Sequence, residues 1–382
     1  MQTKKPVTAE TYVTLGIFAL FFGYMTRVMG TGNFFNTLMR TAHDLILQTV
    51  LFIMGIAILA GAFAAILSEF GVIDLLNRLI TPLMRPLYDL PGAAALGVLT
   101  TFLSDNPAII SLANDEGFRK YFRPHELPAL CNLGTAFGMG FIVWTFMASQ
   151  GEGSSFFLPA TIGVVGAIVG SIVSVRIMLR STKKYFGESS AKTPVATPTM
   201  REVREGSAFS RALEAALDGG KSGVDMGIAI LPGVVIICTI VLMLTMEVLP
   251  DAAGKIVYTG AAYEGVGLIP KIGKHLMFLL EPLYGFTSPE AIAFPLTSLG
   301  AVGAAMSMVP RFLSSGFIGP NDIAVFTAMG MCFSGYLSTH IAMMDALHVR
   351  KLAPKAIFAH TIGGIVAGIV AHYLYLLTVA LF

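Results

Sequence analysis

The chain contains the same unit twice. Gly55-Ile56-Ala57-Ile58-Leu59-x-Gly61 returns as Gly227-Ile228-Ala229-Ile230-Leu231-x-Gly233. Pro86-Leu87-Tyr88 returns as Pro282-Leu283-Tyr284, Pro124-x-Glu126 as Pro320-x-Asp322, and Gly134-x-x-Phe137 as Gly330-x-x-Phe333. The first pair is offset by 172 residues and the other three by 196, so one insertion of 24 residues inside 250–275 aligns the copies. In an apolar chain, two homologous halves are the pattern of a membrane transporter made from internal repeats.

Composition supports the apolar reading. The 382 residues are 55% hydrophobic and 13% charged, where a soluble domain carries about 25% charged residues. Too little polar surface remains to cover a globule of this size, so most of the outside faces lipid. The net charge of +2 gives no reason to expect a nucleic-acid partner. Cys131, Cys238 and Cys332 each lie inside an apolar segment, which implies buried, reduced thiols and no disulfide framework. The first apolar run follows Lys4 and Lys5 and reaches Arg27 without a small-residue cleavage site, so it reads as a retained helix.

A spanning helix needs roughly 20 mostly apolar residues. Seven segments meet that length: about 11–29, 48–69, 124–149, 155–179, 225–248, 321–345 and 355–381. The polar stretch 181–212, with Pro194 and Pro198, divides the halves. Arg176, Arg180, Lys183, Lys184, Lys192, Arg201, Arg204 and Arg211 crowd in and around it, so it is expected on the cytoplasmic side. Counting outward from it places Lys4, Lys5, Arg119, Lys120, Arg123, Arg350, Lys351 and Lys355 inside as well, and the C-terminus outside.

That count closes only if two further apolar segments, 91–112 and 288–309, enter the membrane and return to the side they came from. The first opens with Pro91-Gly92-Ala93-Ala94-Ala95 and carries Thr100, Thr101, Ser104, Asp105 and Asn106 in its middle. The second opens with Pro289-Glu290-Ala291 and carries Thr297, Ser298 and Ser307. These are re-entrant hairpin signatures, tolerable only where the tip is buried in protein or faces a water-filled cavity. Each follows a semi-polar segment, 72–90 or 270–287, that reads as interfacial. The expectation is an all-α polytopic membrane protein with an inverted-topology repeat, about seven spanning helices, two re-entrant hairpins and interfacial helices. Its divisions are an N-terminal helix and connector (1–47), a first repeat (48–180), the linker (181–212) and a second, inverted repeat (213–382).

Asp105 stands out among the polar residues, because a carboxylate at membrane depth costs at least ~2.5 kcal/mol on insertion scales. It reads as a coupling-ion or proton site or a substrate ligand, or as the cap of a helix starting at Pro107. In Asn132-Leu133-Gly134-Thr135-Ala136-Phe137-Gly138-Met139-Gly140, three glycines within seven residues loosen or break the span, freeing carbonyls for an ion or substrate. Close packing through small residues is the alternative. Thr327-Ala328-Met329-Gly330-Met331-Cys332-Phe333-Ser334-Gly335 is the equivalent stretch. The expected cavity lies among Thr101, Ser104, Asp105, Asn106, Asn132, Thr135, Thr297, Ser298, Thr327 and Ser334, with Asp105, Asn132 and Thr135 nearest a coupling ion. Thr339, His340 and Asp345 read as a polar helix end, with His340, Met344 and His348 at i, i+4 spacing leaving a weak metal reading. Glu264, His275 and Glu281 read as solvated. The sequence holds no Gly-x-Ser-x-Gly, His-Glu-x-x-His, P-loop or Cys-x-x-Cys pattern, so no enzyme chemistry and no ATP coupling are expected.

The order of interfacial helix, hairpin, glycine-broken helix and span, repeated in inverted form, resembles the nucleoside-recognition (Gate) domain family. That group includes the concentrative nucleoside transporters, the membrane part of bacterial ferrous-iron permeases and spore-maturation-type membrane proteins. The likeness covers roughly 48–381. In transporters of this fold the hairpin tips and broken helices bind the nucleoside, and Na⁺ sits between the first hairpin and its broken helix. By position that implies Thr101, Ser104, Asp105 and Asn106 at the first tip, and Asn132 and Thr135 on the broken helix. This chain carries Leu103-Ser104-Asp105-Asn106 where those transporters carry Gly-Gln-Thr-Glu. The resemblance implies a multi-pass protein of the bacterial inner (cytoplasmic) membrane, lipid-embedded and homo-oligomeric. It implies alternating-access transport of a small polar organic solute, a nucleoside-like one among the candidates, with no cofactor beyond Na⁺ or H⁺ as coupling ion. The other functional classes are a metal or inorganic-ion permease using Asp105, Cys332 and nearby Met residues, and a non-transporting scaffold or ligand sensor.

Overall fold

The computed structural model describes residues 5–151, 155–187, 203–251 and 254–381. Lys4 and residues 188–202 of the linker, including Lys192, Pro194, Pro198 and Arg201, lie outside the described residues. The described chain is helical almost throughout. In the first half α1 (Ala9–Met29), α2 (Thr31–Asp44), α3 (Leu51–Glu69), α4 (Val72–Tyr88), α5 (Ala94–Leu103), α6 (Pro107–Asn114), α7 (Glu116–Arg119), α8 (Ala129–Thr135), α9 (Gly140–Ser149) and α10 (Phe157–Phe186) follow one another. In the second half come α11 (Ala208–Gly233), α12 (Thr239–Thr245), α13 (Leu268–Tyr284), α14 (Ala293–Ser298), α15 (Val302–Ser314), α16 (Pro320–Phe333), α17 (Tyr336–Ala346) and α18 (Ala353–Leu381).

Among the described residues, six stretches are long and apolar enough to span: 9–29, 31–69, 129–149, 157–186, 208–245 and 350–381. The seventh expected span, 321–345, is present but divided between α16 and α17. The span expected at 48–69 is longer than its sequence signal. Residues 31–47, read as a connector, are helical and run into α3 through a π-helical turn at Leu45–Val50. The result is a rod of 39 residues, about 58 Å at 1.5 Å per residue, against a hydrocarbon core near 30 Å. Helices α11 and α12 join in the same way through a π turn at Val234–Cys238, which packs on the first one.

The inverted repeat is visible in how equivalent helices meet. Helices α10 and α18, related by the 196-residue offset, pack through small residues. A Cβ on Gly166 would stand 2.7 Å from the Ala367 carbonyl, and one on Gly363 would stand 2.6 Å from the Gly170 carbonyl. As the number rises along α10 it falls along α18, so the two run antiparallel. Helices α3 and α11 behave alike: Gly61 packs on Gly219, Ala57 and Ile58 on Gly223, and Met54 on Gly227. Two copies whose matching helices are antiparallel enter the membrane with opposite sense. Only glycine admits backbones this close.

Both hairpins form. Their arms are 10 and 8 residues in the first, and a 3-10 turn at Pro289–Ile292 plus 6 residues, then 13, in the second. Each arm is at most about 20 Å long, too short to cross. The arms fold back on each other, with Gly97 of α5 against Ile109 of α6 and α14 packed on α15. Interfacial helices α4 and α13 precede them. Each is 17 residues long, starts after a left-handed glycine (Gly71 φ 76°, Gly267 φ 59°) and ends at the repeated tyrosine with a left-handed residue beyond it (Asp89 φ 55°, Gly285 φ 69°).

The ends sort onto two faces. Arg119, Lys120, Arg123, Phe186, Leu347 and Val349 border one cavity of about 470 Å³, which gathers the ends of α7, α10 and α17 on a single face. Glu69, ending α3, pairs with Arg204 and Arg211 at 2.8 Å each. Away from these, the loop 254–267 docks on α2: Asn33 Nδ2 donates to the Tyr258 carbonyl (2.9 Å), Tyr263 N to Thr41 Oγ1 (2.8 Å), and Tyr263 Oη to Asp44 (2.6 Å). Glu264 is not merely solvated. It accepts from Thr259 Oγ1 (2.6 Å) and from the amides of Thr259 and Gly260 (2.9 Å each), and so shapes this loop. Cys131, Cys238 and Cys332 are free and buried, as the sequence implies.

Candidate functional site

Two helices break where the sequence concentrates glycine. Between α8 and α9 the chain passes through Met139, a non-glycine residue in the left-handed region (φ 54°). Between α16 and α17 it passes through Ser334 and Gly335 (φ 62°). Met139 and Gly335 are 196 residues apart, so the two breaks are the same feature in the two copies. A left-handed residue costs about 1–2 kcal/mol where it is not glycine. The first copy bears that cost at Met139.

The hairpin tips meet these breaks. Asp105, Asn106 and Pro107 of the first tip, Ala301–Ala304 of the second, Met139 and Ser334–Gly335 of the breaks, Ser338 and Thr339 of α17, and Ala229, Ile230 and Gly233 of α11 line one cavity of about 230 Å³. Its wall is divided. The first tip and α17 supply carboxylate, amide and hydroxyl groups, while the second tip and α11 supply only backbone and apolar carbon. The 196-residue offset accounts for this, since it pairs Asp105-Asn106 with Ala301-Val302.

Asn106 joins the parts. Its Nδ2 donates to Ser334 Oγ (3.1 Å) and to Asp105 Oδ1 (3.0 Å), and its own amide also donates to Asp105 Oδ1 (2.7 Å). Its side chain packs on both breaks. An ideal Cβ on Gly335 would stand 2.6 Å from Asn106 Nδ2, and one on Gly138 would collide with the same amide. Asn106 is 3% exposed, and its Oδ1 has no hydrogen-bond partner. A buried amide oxygen left in that condition is costly, and it marks where a donor or a cation would bind. Asp105 precedes the N-cap Asn106 of α6, and Pro107 occupies the first helical position. Asp105 is therefore not itself the cap: it accepts from the Asn106 amide at the start of α6 and lines the cavity.

The structure brings together three of the ten expected cavity residues: Asp105, Asn106 and Ser334. Thr101, Thr297 and Thr327 instead donate to the carbonyls four residues back (Gly97, Ala293 and Ile323, each at 2.7 Å), and Ser298 donates to Pro295 at 2.8 Å. None of the four lines the cavity, because a hydroxyl inside an apolar helix is most cheaply satisfied by its own backbone. Ser104 is exposed at the turn and lies outside the cavity lining. Ser338 and Thr339 were not expected there, whereas Met139 and Gly335 lie in the two glycine-rich stretches read as breaks.

Asn132 and Thr135 belong to a second polar cluster, buried behind the first. Asn132 Nδ2 donates to Ser174 Oγ and to the Ala356 carbonyl, both at 2.9 Å. Ser174 Oγ lies 3.2 Å from His360 Nδ1, and Thr135 Oγ1 lies 3.5 Å from it while donating to Cys131 O at 2.6 Å. His360 Nε2 faces the carbonyl of Cys332, in the last turn of α16, and a carbonyl there requires the proton on Nε2. His340 belongs to this cluster and is not a polar helix end: it is 0% exposed, and its ring centroid lies 4.7 Å from that of His360. His348 does not share its face, since α17 ends at Ala346 and His348 sits beyond it in the left-handed region. Among the described residues no three His, Cys, Asp or Glu side chains converge as metal ligands.

No protein-family model matches the chain, and no curated protein matches it in sequence. Solved structures do match in fold. CNTnw in an inward-facing substrate-bound state is similar over 96% of this chain and 87% of that one, with 13% identity and a TM-score of 0.53. A variant of CNTnw in its intermediate 2 state is similar over 96% of this chain and 88% of that one, with 14% identity and a TM-score of 0.50. The chain is an all-helical polytopic membrane protein with the fold of a concentrative nucleoside transporter.

Proposed function

We propose that the protein is an alternating-access secondary transporter of a small organic solute, driven by an Na⁺ or H⁺ gradient and seated in a cytoplasmic membrane. The observation that carries this is the meeting of both hairpin tips and both helix breaks, contributed by antiparallel halves, at a single cavity. Two pseudo-equivalent halves that exchange conformations move the opening of such a cavity from one face to the other. The divided wall suits a solute with a polar edge and an apolar face. The polar edge would meet Asp105, Asn106, Ser334 and Thr339, and the apolar face would meet Ile230 and Val302. The volume of about 230 Å³ falls below the ~300–1,000 Å³ of drug-sized pockets, so the solute is small. The tip bearing Asp105 is where a coupling cation would be held. The solute's identity as a nucleoside rests on fold likeness alone, because the first tip carries Ser104-Asp105-Asn106.

The test is a thermal-shift screen of purified protein against nucleosides, amines and carboxylates, since a ligand of the folded state raises its melting point by mass action. Hits are then carried into proteoliposomes under an imposed Na⁺ or H⁺ gradient. Gradient-dependent accumulation supports the reading. Ligand binding without flux under either gradient would turn the protein into a sensor.

A further inference from the structure

His340 and His360 form a buried pair outside the cavity lining. The 196-residue offset places Trp144 and Val164 at their positions in the first half, so the pair exists in one copy only. The hydrogen bonds fix the state of each ring. His360 gives its Nε2 proton to the Cys332 carbonyl and lies against the Ser174 hydroxyl with Nδ1, so both its nitrogens are engaged. His340 gives its Nδ1 proton to the Tyr336 carbonyl (2.5 Å), which leaves Nε2 as a lone pair. That nitrogen is fully buried and has no partner. Among the described residues it is the one imidazole nitrogen of the pair that stands without a hydrogen-bond partner.

We propose that His340 Nε2 is a proton-binding site that takes one proton for the pair and thereby controls the break between α16 and α17. This deepens the transporter reading and rests on it for the link between the break and solute movement. The rings are too close for both to be charged, because two imidazolium ions at this separation in a poorly solvated site repel strongly. The groups packed against His340 cannot neutralise a cation. α18 brings His360, α8 brings Cys131, α16 brings Cys332, the first turn of α17 brings Tyr336, and α6 brings no titratable group. Beyond α17, Arg350 is paired with Asp345. An imidazolium inside this packing is therefore unstable, and it is relieved by moving α17 toward water. The cavity that Ser338 and Thr339, the two residues before His340, line offers such water. Proton binding at His340 is in this way linked to opening of the break at Gly335.

The experiment uses the full chain in nanodiscs and needs no solute. Nitrogen-15 spectra of the histidine rings, assigned through backbone correlations, are recorded from about pH 8 to about pH 5. In parallel, a Ser338→Cys variant is reacted with a membrane-impermeant maleimide, and labelling at 338 is read by mass spectrometry. His340 is expected to become imidazolium while His360 stays neutral. Labelling is expected to accelerate about tenfold over the same range, a shift of roughly one decade in the open population, and His340→Gln is expected to flatten that response. The proposal is overturned if both rings stay neutral, if both become charged together, or if His340→Gln leaves the pH response of labelling unchanged. If His340→Gln does not fold, the spectra of the unmodified chain decide alone. Because no flux is measured, a chain that moves no solute could still pass this test, and a proven transporter could still fail it.

Discussion

Asp105 and Asn106 concentrate the consequences of single residues. Asp105→Asn keeps an oxygen that accepts from the Asn106 amide, so the tip keeps its shape and loses only the charge. Gradient-driven uptake should fall about 10- to 100-fold, the kinetic equivalent of the roughly 1.5–3 kcal/mol carried by a hydrogen bond to a charged group. The melting temperature should move little, and unchanged uptake would remove Asp105 from the mechanism. Gly335→Ala is the complementary change. It places a methyl group 2.6 Å from Asn106 Nδ2 and puts a non-glycine residue at φ 62°, which costs about 1–2 kcal/mol. Denaturation in detergent should show a loss of at least that size. A variant as stable as the parent would mean the break is not rigid.

At the scale of elements, the loop 254–267 carries a pH prediction. Burial pushes the Glu264 carboxyl up, but the hydrogen bonds from Thr259 and from the amides that follow outweigh it and hold the group below its ordinary value. A carboxyl lowered in the folded state stabilises the fold above its unfolded pKa, about 4.3 for glutamate. That contribution is lost as pH falls through the folded pKa. Hydrogen exchange at the Thr259 and Gly260 amides, corrected for the intrinsic rate, should therefore show protection that is flat from neutral pH down to about 5 and falls below about pH 4. Protection that is flat throughout would show that Glu264 does not hold the loop. The helices show what the sequence could reveal at this scale. Hairpins, interfacial segments and breaks were all legible, because each follows from local hydrophobicity, proline or glycine. The extra length of 31–69 was not, because Thr31–Asp44 is amphipathic and lacks a spanning signal of its own.

For the whole molecule, the orientation of the two halves makes a prediction about sidedness. The ends of α7, α10 and α17 share one basic face, and the Glu264 loop lies elsewhere, against α2. With basic ends retained in the cytoplasm, a cysteine replacing Lys184 should react with an impermeant reagent only in inside-out vesicles. One replacing Lys255 should react only in intact cells. Reactivity of both from the same side would contradict the inverted repeat, whereas a simple exchange of sides would leave the fold intact and reverse its orientation. The antiparallel contacts of α10 with α18 and of α3 with α11 are what make the two sites differ.

The sequence alone was enough to establish a duplicated, lipid-embedded helical unit whose copies are inverted, because hydropathy, charge placement and repeated motifs are local properties that need no coordinates. It also pointed to Asp105, Asn106 and Ser334, since polar residues beside helix breakers are rare inside a membrane. Tertiary structure decided which polar groups meet. Thr101, Thr297, Ser298 and Thr327 turned inward to their own helices. Asn132 and Thr135 joined His340 and His360 in a separate cluster, and Met139 took the strained place that glycine holds in the other copy. Hydroxyl satisfaction and side-chain contact across 224 to 228 residues of chain depend on how helices stack, and periodicity carries no record of that.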